Sequence, residues 1–430
     1  MTMRMKIHGI ALAALTLIMP SDAEESPAIQ TSISGMGSLE AGQVVNGWDK
    51  RSLNPTEPRV DHVWLQRAYM QLTVKGQLGD HAAAIISGEG MVTYSWAKQQ
   101  EFWSTLKPAY YFYPNQVEGR YWLGEKEKPL LYVGAGIFPF KYNPDVRNLG
   151  EYLYRTGTYP GYIINEFDFP MNRLMGLRLS GNPLPWLNLD VMLTSEPYQL
   201  PMLDYGLSGL FTCSAGKALD IGAGVFFSHL FSINEEYTTP KTSDNLIQDT
   251  ANPSDTSYYT FRGTKLMARF SFDPKAFFAT SLFGKNDLRL YGEVAVIGLK
   301  DYAVYYDTLW QRIPVMIGFN VPAFKVLDVV AVEVEWYGNR YPNSYANVWA
   351  RNNIPQPYQE PATIGIIDYK KDDWKWSVYA SKKLSVFTLV GQVANDHIRM
   401  VRHDDRESDR EEALRTSKDW EWMLKCAFGF

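Results

Sequence analysis

Four carboxylates and two guanidiniums crowd into one irregular stretch, NPDVRNLGEYLYRTGTYPGYIINEFDFP from Asn143 to Pro170: Asp145, Glu151, Glu166 and Asp168 with Arg147 and Arg155. Charges of both signs in one loop set up a directed field when fixed charges face them, and otherwise only hydrate the chain. The cations that could face them are Arg67, Lys75, Arg120, Arg178, Lys265, Arg269 and Arg289, scattered over the rest of the sequence. Covalent chemistry has no such basis. Past residue 23 the histidines are His62, His81, His229, His397 and His403, and no HExxH, G-x-S-x-G or Cys/His zinc spacing occurs. His229 in FFSHLFSIN has Ser228 beside it, but neighbours on a strand point to opposite faces. The chain therefore reads as a non-enzyme, with no catalytic residue, metal or cofactor.

All seven wall cations stand in segments with period-two patterning. In LDVVAVEVEWY (Leu327 to Tyr337), Val330, Val332, Val334 and Trp336 share one face, and Ala331, Glu333, Glu335 and Tyr337 the other. In DWEWMLKCAFGF (Asp419 to Phe430), Trp420, Trp422, Leu424, Cys426, Phe428 and Phe430 alternate with mostly small or charged residues. Thr264 to Phe272 sets Leu266, Ala268, Phe270 and Phe272 against Lys265, Arg269 and Ser271. Charges fall where a soluble core would lie if these polar faces packed inward. Sixteen such strands are expected, near 32–45, 63–76, 81–96, 107–123, 130–142, 171–181, 187–198, 204–214, 219–234, 258–273, 287–301, 312–321, 326–338, 374–383, 386–400 and 419–430.

Their connections alternate in length. GQLGD, GEKEKP, GNPLPW, SAGKA, VPAFK and KLS are short, whereas 46–62, 143–170, 235–257, 339–373 and 401–418 are long. Short turns at one end and long loops at the other are the layout of a transmembrane antiparallel β-barrel, with both chain ends on the short-turn side. A β-sandwich has no reason to segregate loops in this way. DPKAFFATSLFGKN, a longer link on the short side, is expected to hold a short helix.

Composition agrees. Aromatics make up 14% of a chain that is polar on average, which suits a wall apolar on one face and wet on the other. Trp374, Trp376, Trp420 and Trp422 share the outward parity and read as interface girdle. No run of 18 apolar residues follows residue 23, so membrane-spanning helices are excluded and only closure of a sheet satisfies the backbone in lipid. Residues 1–23 read as a secretory signal, with Arg4 and Lys6 before an apolar stretch and Ser21-Asp22-Ala23 as a cleavage site, leaving 24–430 as a single barrel domain. Removing Arg4, Lys6 and Asp22 from 42 basic and 47 acidic residues leaves a formal charge of −6, which argues against nucleic acid as a partner. Cys213 and Cys426 fall on apolar faces half a barrel apart and form no disulfide.

The signal, the opening strand ISGMGSLEAGQVV, the even strand count and the closing strand with its terminal aromatic together resemble bacterial outer-membrane porins, over the whole mature chain. YVGAGIFPFKY (Tyr132 to Tyr142) resembles the strand leading into their long third loop. The resemblance implies an outer-membrane channel for passive diffusion of small hydrophilic solutes and ions. It also implies Phe430 as a signal to the barrel-assembly machinery, lipid and lipopolysaccharide around the wall, and trimers as the usual assembly. It makes 143–170 a loop folded into the lumen, with Asp145, Arg147, Glu151, Arg155, Glu166 and Asp168 at the constriction. Two alternatives stand beside this reading. Tyr152, Tyr154, Tyr159 and Tyr162 could form a stacking slide for sugars, and the long loop 339–373 would suit a non-conducting adhesion or scaffold barrel. RHDDRESDREE (Arg402 to Glu412) reads as a solvated outer loop.

Overall fold

The protein is described by a computed structural model covering residues 29–48, 59–96, 109–154, 172–195, 203–238, 246–248, 256–258, 262–278, 281–296, 299, 310, 313–336, 374–398, 413–414 and 416–430. Its sixteen long strands form one closed antiparallel barrel. They are β1 (Ile29–Trp48), β2 (Arg59–Leu78), β3 (Ala82–Trp96), β4 (Ala109–Gly124), β5 (Pro129–Phe140), β6 (Asn172–Leu184), β7 (Leu187–Ser195), β8 (Tyr205–Ala215) and β9 (Leu219–Phe231). A short hairpin follows, β10 (Leu246–Gln248) with β11 (Thr256–Tyr258), and the wall resumes with β12 (Gly263–Phe272), β13 (Leu290–Val296), β14 (Val315–Asn320), β15 (Val329–Trp336), β16 (Trp374–Leu384), β17 (Phe387–Asn395) and β18 (Trp420–Gly429). Each wall strand pairs with its sequence neighbour in the wall, and β18 closes on β1.

Every expected strand is present, with differences in extent. β1 and β2 are 20 residues each, and they stay in register from Ile29 opposite Leu78 to Trp48 opposite Arg59, while β1 slips against β18 between Val44 and Asn46. The tenth wall strand starts at Gly263, not near 258, because residues 256–258 pair with 246–248 in the separate hairpin. The link after β12 carries a 3-10 turn, Pro274–Phe277, capped by the Asp273 side chain on the Lys275 amide.

Alternation sets the two faces. On the outside stand Ile33, Leu39, Met70, Ile86, Phe112, Leu179 and Leu424, all exposed, while Glu40, Arg67, Glu89, Glu118, Lys265, Glu293 and Glu333 are buried inside. A slip of one residue would exchange these sets, so the pattern fixes the register. Trp64, Trp336, Trp374, Trp420 and Trp422 gather on the outer face toward the long-loop end, Trp64 edge-on to Trp422 at 5.7 Å and Trp336 paired across from Trp374. Cys213 on β8 and Cys426 on β18 are both free, eight places apart in the ring of sixteen.

The end of β9 departs from simple alternation. Between Leu207 opposite Phe227 and Tyr205 opposite Phe231 the β8–β9 ladder is bulged, and His229 takes a positive φ of 50°. Two extra residues on β9 leave both Ser228 and His229 turned inside, where they are 2% and 0% exposed, so the rule of opposite faces fails at this pair. His229 Nδ1 lies 3.3 Å from Asp204 Oδ2.

Candidate functional site: the inner loop and the wall that holds it

After β5 the chain turns into the barrel. Residues 141–154 run across the interior, and Val146, Leu149, Tyr152 and Leu153 are wholly buried there. They join Phe138, Phe140, Tyr142, Tyr154, Leu174, Met192, Leu210, Phe226, Met267, Tyr291 and Met316 in one apolar cluster. A barrel of this strand number leaves more internal space than wall side chains fill, so there is room inside for such a segment. The wall makes room for it. Gly222 faces inward on β9, and a Cβ there would lie 2.3 Å from the Tyr142 hydroxyl oxygen. That hydroxyl sits 2.6 Å from the Phe211 carbonyl oxygen and 2.9 Å from that of Ala223.

Wall carboxylates hold the loop backbone. Glu333 on β15 accepts the Arg147 amide at 2.5 Å, the Asn148 and Leu149 amides at 2.9 Å each, and the Tyr291 hydroxyl at 2.9 Å. Glu293 on β13 accepts the Glu151 amide at 2.6 Å. Glu335 takes the Tyr152 hydroxyl at 2.8 Å and lies 2.9 Å from His397 Nε2. Asn148 Nδ2 donates to Asp396 Oδ2 at 2.6 Å and to Ser377 Oγ at 3.2 Å. Backbone N–H groups inside a barrel must find acceptors, and a carboxylate offers several lone pairs to a turn that presents consecutive amides. The turn needs Gly150, whose φ is +89° and whose missing Cβ leaves space for Met316 Cε at 2.8 Å and Glu293 Oε2 at 2.9 Å.

Each expected site residue has a definite place, apart from Arg155, Glu166 and Asp168, which lie outside the described residues. Asp145 meets Arg289 at 2.7 Å and accepts the Ser271 hydroxyl at 2.6 Å. Arg147 engages Glu333 through its backbone and sets its guanidinium 5.8 Å from the Tyr379 ring centre. Glu151 turns back on its own loop, accepting the Asn143 amide at 2.5 Å and Asn172 Nδ2 at 3.3 Å. Of the loop acids, Asp145 meets a wall base, Arg289, while much of the loop is held by wall acids. Tyr152 and Tyr154 are buried, the second with its hydroxyl on Ser208 Oγ at 2.8 Å, so neither offers a stacking face. Tyr159 and Tyr162 lie outside the described residues.

The wall cations all face inward, and Arg67, Arg120 and Arg178 pair with inner-wall acids. Arg67 meets Glu40 at 2.6 Å, with Lys425 at 3.2 Å on the other oxygen of the same carboxylate. Arg178 meets Asp190 at 2.7 Å and covers the Phe140 ring at 4.8 Å. Arg120 meets Glu118 at 2.8 Å. Arg269 lies 4.5 Å over the Tyr142 ring and donates to Thr212 Oγ1 at 2.9 Å. Lys265 is buried on β12, and Lys75 stands on β2 near Lys126 and Arg120. Arg289 also reaches Asp273 in the turn below, at 3.5 Å. Partial burial acts to raise the Asp273 carboxyl, but the Lys275 side-chain and backbone hydrogen bonds and the charges of Lys275 and Arg289 outweigh it and hold the group below its ordinary pKa.

Glu293, Glu333, Glu335, Asn148, Ser271 and Asp396 were not among the expected site residues. Inward parity marks the three glutamates, yet their partners are largely backbone amides, which no side-chain pattern reveals. Among the described residues, no three of His, Cys, Asp or Glu are grouped so as to hold a metal ion.

No family model matches the chain, and no curated protein sequence matches it. Solved structures similar to it include two mutants of Rh. blastica porin, one with two introduced tryptophans and one with an introduced lysine. Each is 9% identical, covers 93% of this chain and 100% of its own, and superposes with a TM-score of 0.41. A triple mutant of Rhodopseudomonas blastica porin gives 10% identity at the same coverage and TM-score. Likeness at that level carries no functional argument, and the barrel assignment rests on the strand pairing of this chain itself.

Proposed function

We propose that this chain is an outer-membrane channel of the porin type, passing small hydrophilic solutes and ions by diffusion beside a loop fixed inside the barrel. The observation that carries the reading is the closed ring of sixteen strands, apolar outside and charged inside, with residues 141–154 pinned to the inner wall by Glu333. Exposed Ile33, Leu39, Ile86 and Phe112 form a surface that water does not favour and acyl chains do. The loop's hydrogen bonds run to β8, β9, β12, β13, β15 and β16, to Asp396 just past β17, and to Asn172 at the start of β6. The passage then follows the remaining arc, lined by Glu40, Arg67 and Lys425, by Tyr69 and Gln71, and by Glu89 with its partner Arg173. Both signs line it, so selectivity by charge is weak.

Residues 1–23 serve as the cleaved signal in this reading, Phe430 as the mark read by the assembly machinery, and lipid and lipopolysaccharide as the surrounding partners. Assembly into trimers belongs to the same proposal. The deciding experiment is single-channel recording of the refolded chain in a planar bilayer under a salt gradient. Steady conductance, with a reversal potential close to zero, is the expected outcome. A correctly folded, heat-modifiable barrel that carries no current would overturn the channel reading and favour a scaffold.

A further inference from the structure

At the short-turn rim of the lumen, three cations come together without a matching set of anions. The register places Gln77 of β2 opposite Ala83 of β3, and Ala83 opposite Arg120 of β4, so a methyl group forms the floor between a glutamine and a guanidinium. Lys75 stands one inward position along β2 from Gln77. Lys126, in the turn from β4 to β5, folds back over this row, with Nζ 3.5 Å from Gln77 Oε1 and 5.9 Å from the Trp122 ring centre. That pose brings its ammonium within interaction range of Lys75, with Arg120 beside them.

A lysine on an exposed turn has rotamers that point away from a like charge, and ammonium groups in contact repel. Here the turn lysine points in. The acid nearest by register, Glu118, is already engaged by Arg120, by Gln116 Nε2 at 2.6 Å and by the Tyr132 hydroxyl. Glu125 and Glu127 are exposed on the same turn, and among the described residues no carboxylate pairs with Lys75 or Lys126. The Arg120 Nε–H likewise finds no acceptor.

We propose that Lys75, Lys126 and Arg120, converging over Ala83 at the short-turn rim, form a binding site for a small polyvalent oxyanion. Two ammonium groups and a guanidinium supply donors from three directions to tetrahedral oxygens, and a divalent charge relieves the repulsion within the cluster. The inward parity of Lys75 and Arg120 puts the site on the water side of the wall. The inference goes beyond the channel reading, since binding at the rim does not require conduction.

The test is titration of inorganic phosphate into the full refolded chain in nonionic detergent at low ionic strength, followed by calorimetry and by phosphorus NMR line width. Saturable binding is expected, weakened about tenfold, equivalent to about 1.4 kcal/mol, by Lys75→Gln with Lys126→Gln together. Lys382→Gln removes the same charge at a different turn, where Nζ bonds the Lys325 carbonyl, and should leave binding unchanged. If the double variant does not fold, Lys126→Gln alone, on the exposed turn, carries the test. Absence of saturable binding to the native chain, or an equal loss in Lys382→Gln, would overturn the site. A chain that binds phosphate without conducting would sink the channel reading and leave the site standing.

Discussion

Gly35 and Phe430 exchange backbone hydrogen bonds at the seam of the barrel. The Gly35 amide donates to the Phe430 carbonyl at 2.9 Å, and the Phe430 amide to the Gly35 carbonyl at 3.0 Å. The Phe430 ring lies on the outer face against Gly35, where a Cβ would fall 2.2 Å from Cζ. Phe428 covers Gly37 in the same way, one outward position along. Rings over glycines restore the cross-strand contact that glycine lacks, at the one seam joining strands distant in sequence.

Removing the ring and disturbing the glycine should therefore act on closure. Phe430→Ala keeps both backbone bonds and is expected to lower stability by about 1 kcal/mol through the lost cross-strand contact. Gly35→Val forces the ring off the seam and presses on the ladder, so it should slow the last step of refolding more than Phe430→Ala does. Urea unfolding in lipid vesicles, with the heat-modifiable band on gels as the folded fraction, reads both. Native stability and native refolding rate in both variants would show that the seam does not depend on this pair.

Glu333 is the main anchor of the inner loop. Replacing it with alanine strands three amides and the Tyr291 hydroxyl in a buried site, at a cost of about 1 to 3 kcal/mol for each donor that stays unsatisfied. The loop escapes that cost by leaving the wall. Glu333→Ala should consequently raise single-channel conductance and its noise while the barrel stays heat-modifiable. Glu333→Gln keeps one accepting oxygen and should fall between the two. A conductance unchanged from the native value in Glu333→Ala would mean that the apolar cluster alone holds the loop.

Much of this was legible before the fold was known, because strand patterning is local. Val330, Val332 and Val334 opposite Ala331, Glu333 and Glu335 already state which face is wet. The alternation of short turns with long loops likewise ordered the strands around the ring, and with them the separation of Cys213 from Cys426. The site was less readable. Asp145, Arg147 and Arg289 could be named as lumen charges, yet their pairing depends on how a non-repetitive loop crosses the barrel. The strongest contacts to that loop come from backbone amides, whose donors are the same in every sequence. The bulge at His229 shows the other limit, since two extra residues on β9 put the neighbours Ser228 and His229 on one face before the outward parity of Phe227 returns at Phe231, and composition does not register it.

Tyr142 and Gly222 test how tightly the loop is seated. Tyr142→Phe removes a hydroxyl that two carbonyl oxygens face, at an expected cost of about 0.5 to 1.5 kcal/mol. Gly222→Val is harsher, because the new side chain meets both the hydroxyl and the Phe211 carbonyl oxygen, 2.9 Å from the Cβ position. Amide hydrogen exchange of residues 143–153 should speed up strongly in Gly222→Val and modestly in Tyr142→Phe, with exchange in β1 and β2 unchanged. Uniform acceleration over the whole barrel would instead mark Gly222 as a residue of the wall ladder only.

Asp273 gives the fold a pH dependence at the short-turn end. Burial works to raise its carboxyl, yet the hydrogen bonds and charge of Lys275 with the charge of Arg289 hold it below its ordinary pKa, and Arg289 in turn reaches Asp145 on the inner loop. A depressed native pKa means that the unfolded chain binds the proton more readily. The stabilisation is therefore fully present above the ordinary carboxylate pKa of about 4 and is lost as pH falls through the lower native value. The side chain also caps the 3-10 turn, a role worth about 1 kcal/mol. Native protein should lose the charge-dependent stabilisation as pH falls below about 4, whereas Asp273→Asn, which keeps a capping oxygen but carries no charge, should show a flatter profile over the same acid range. Urea midpoints in detergent at a series of pH values measure it, and identical slopes for the two proteins would assign the acid sensitivity of the barrel to other carboxylates.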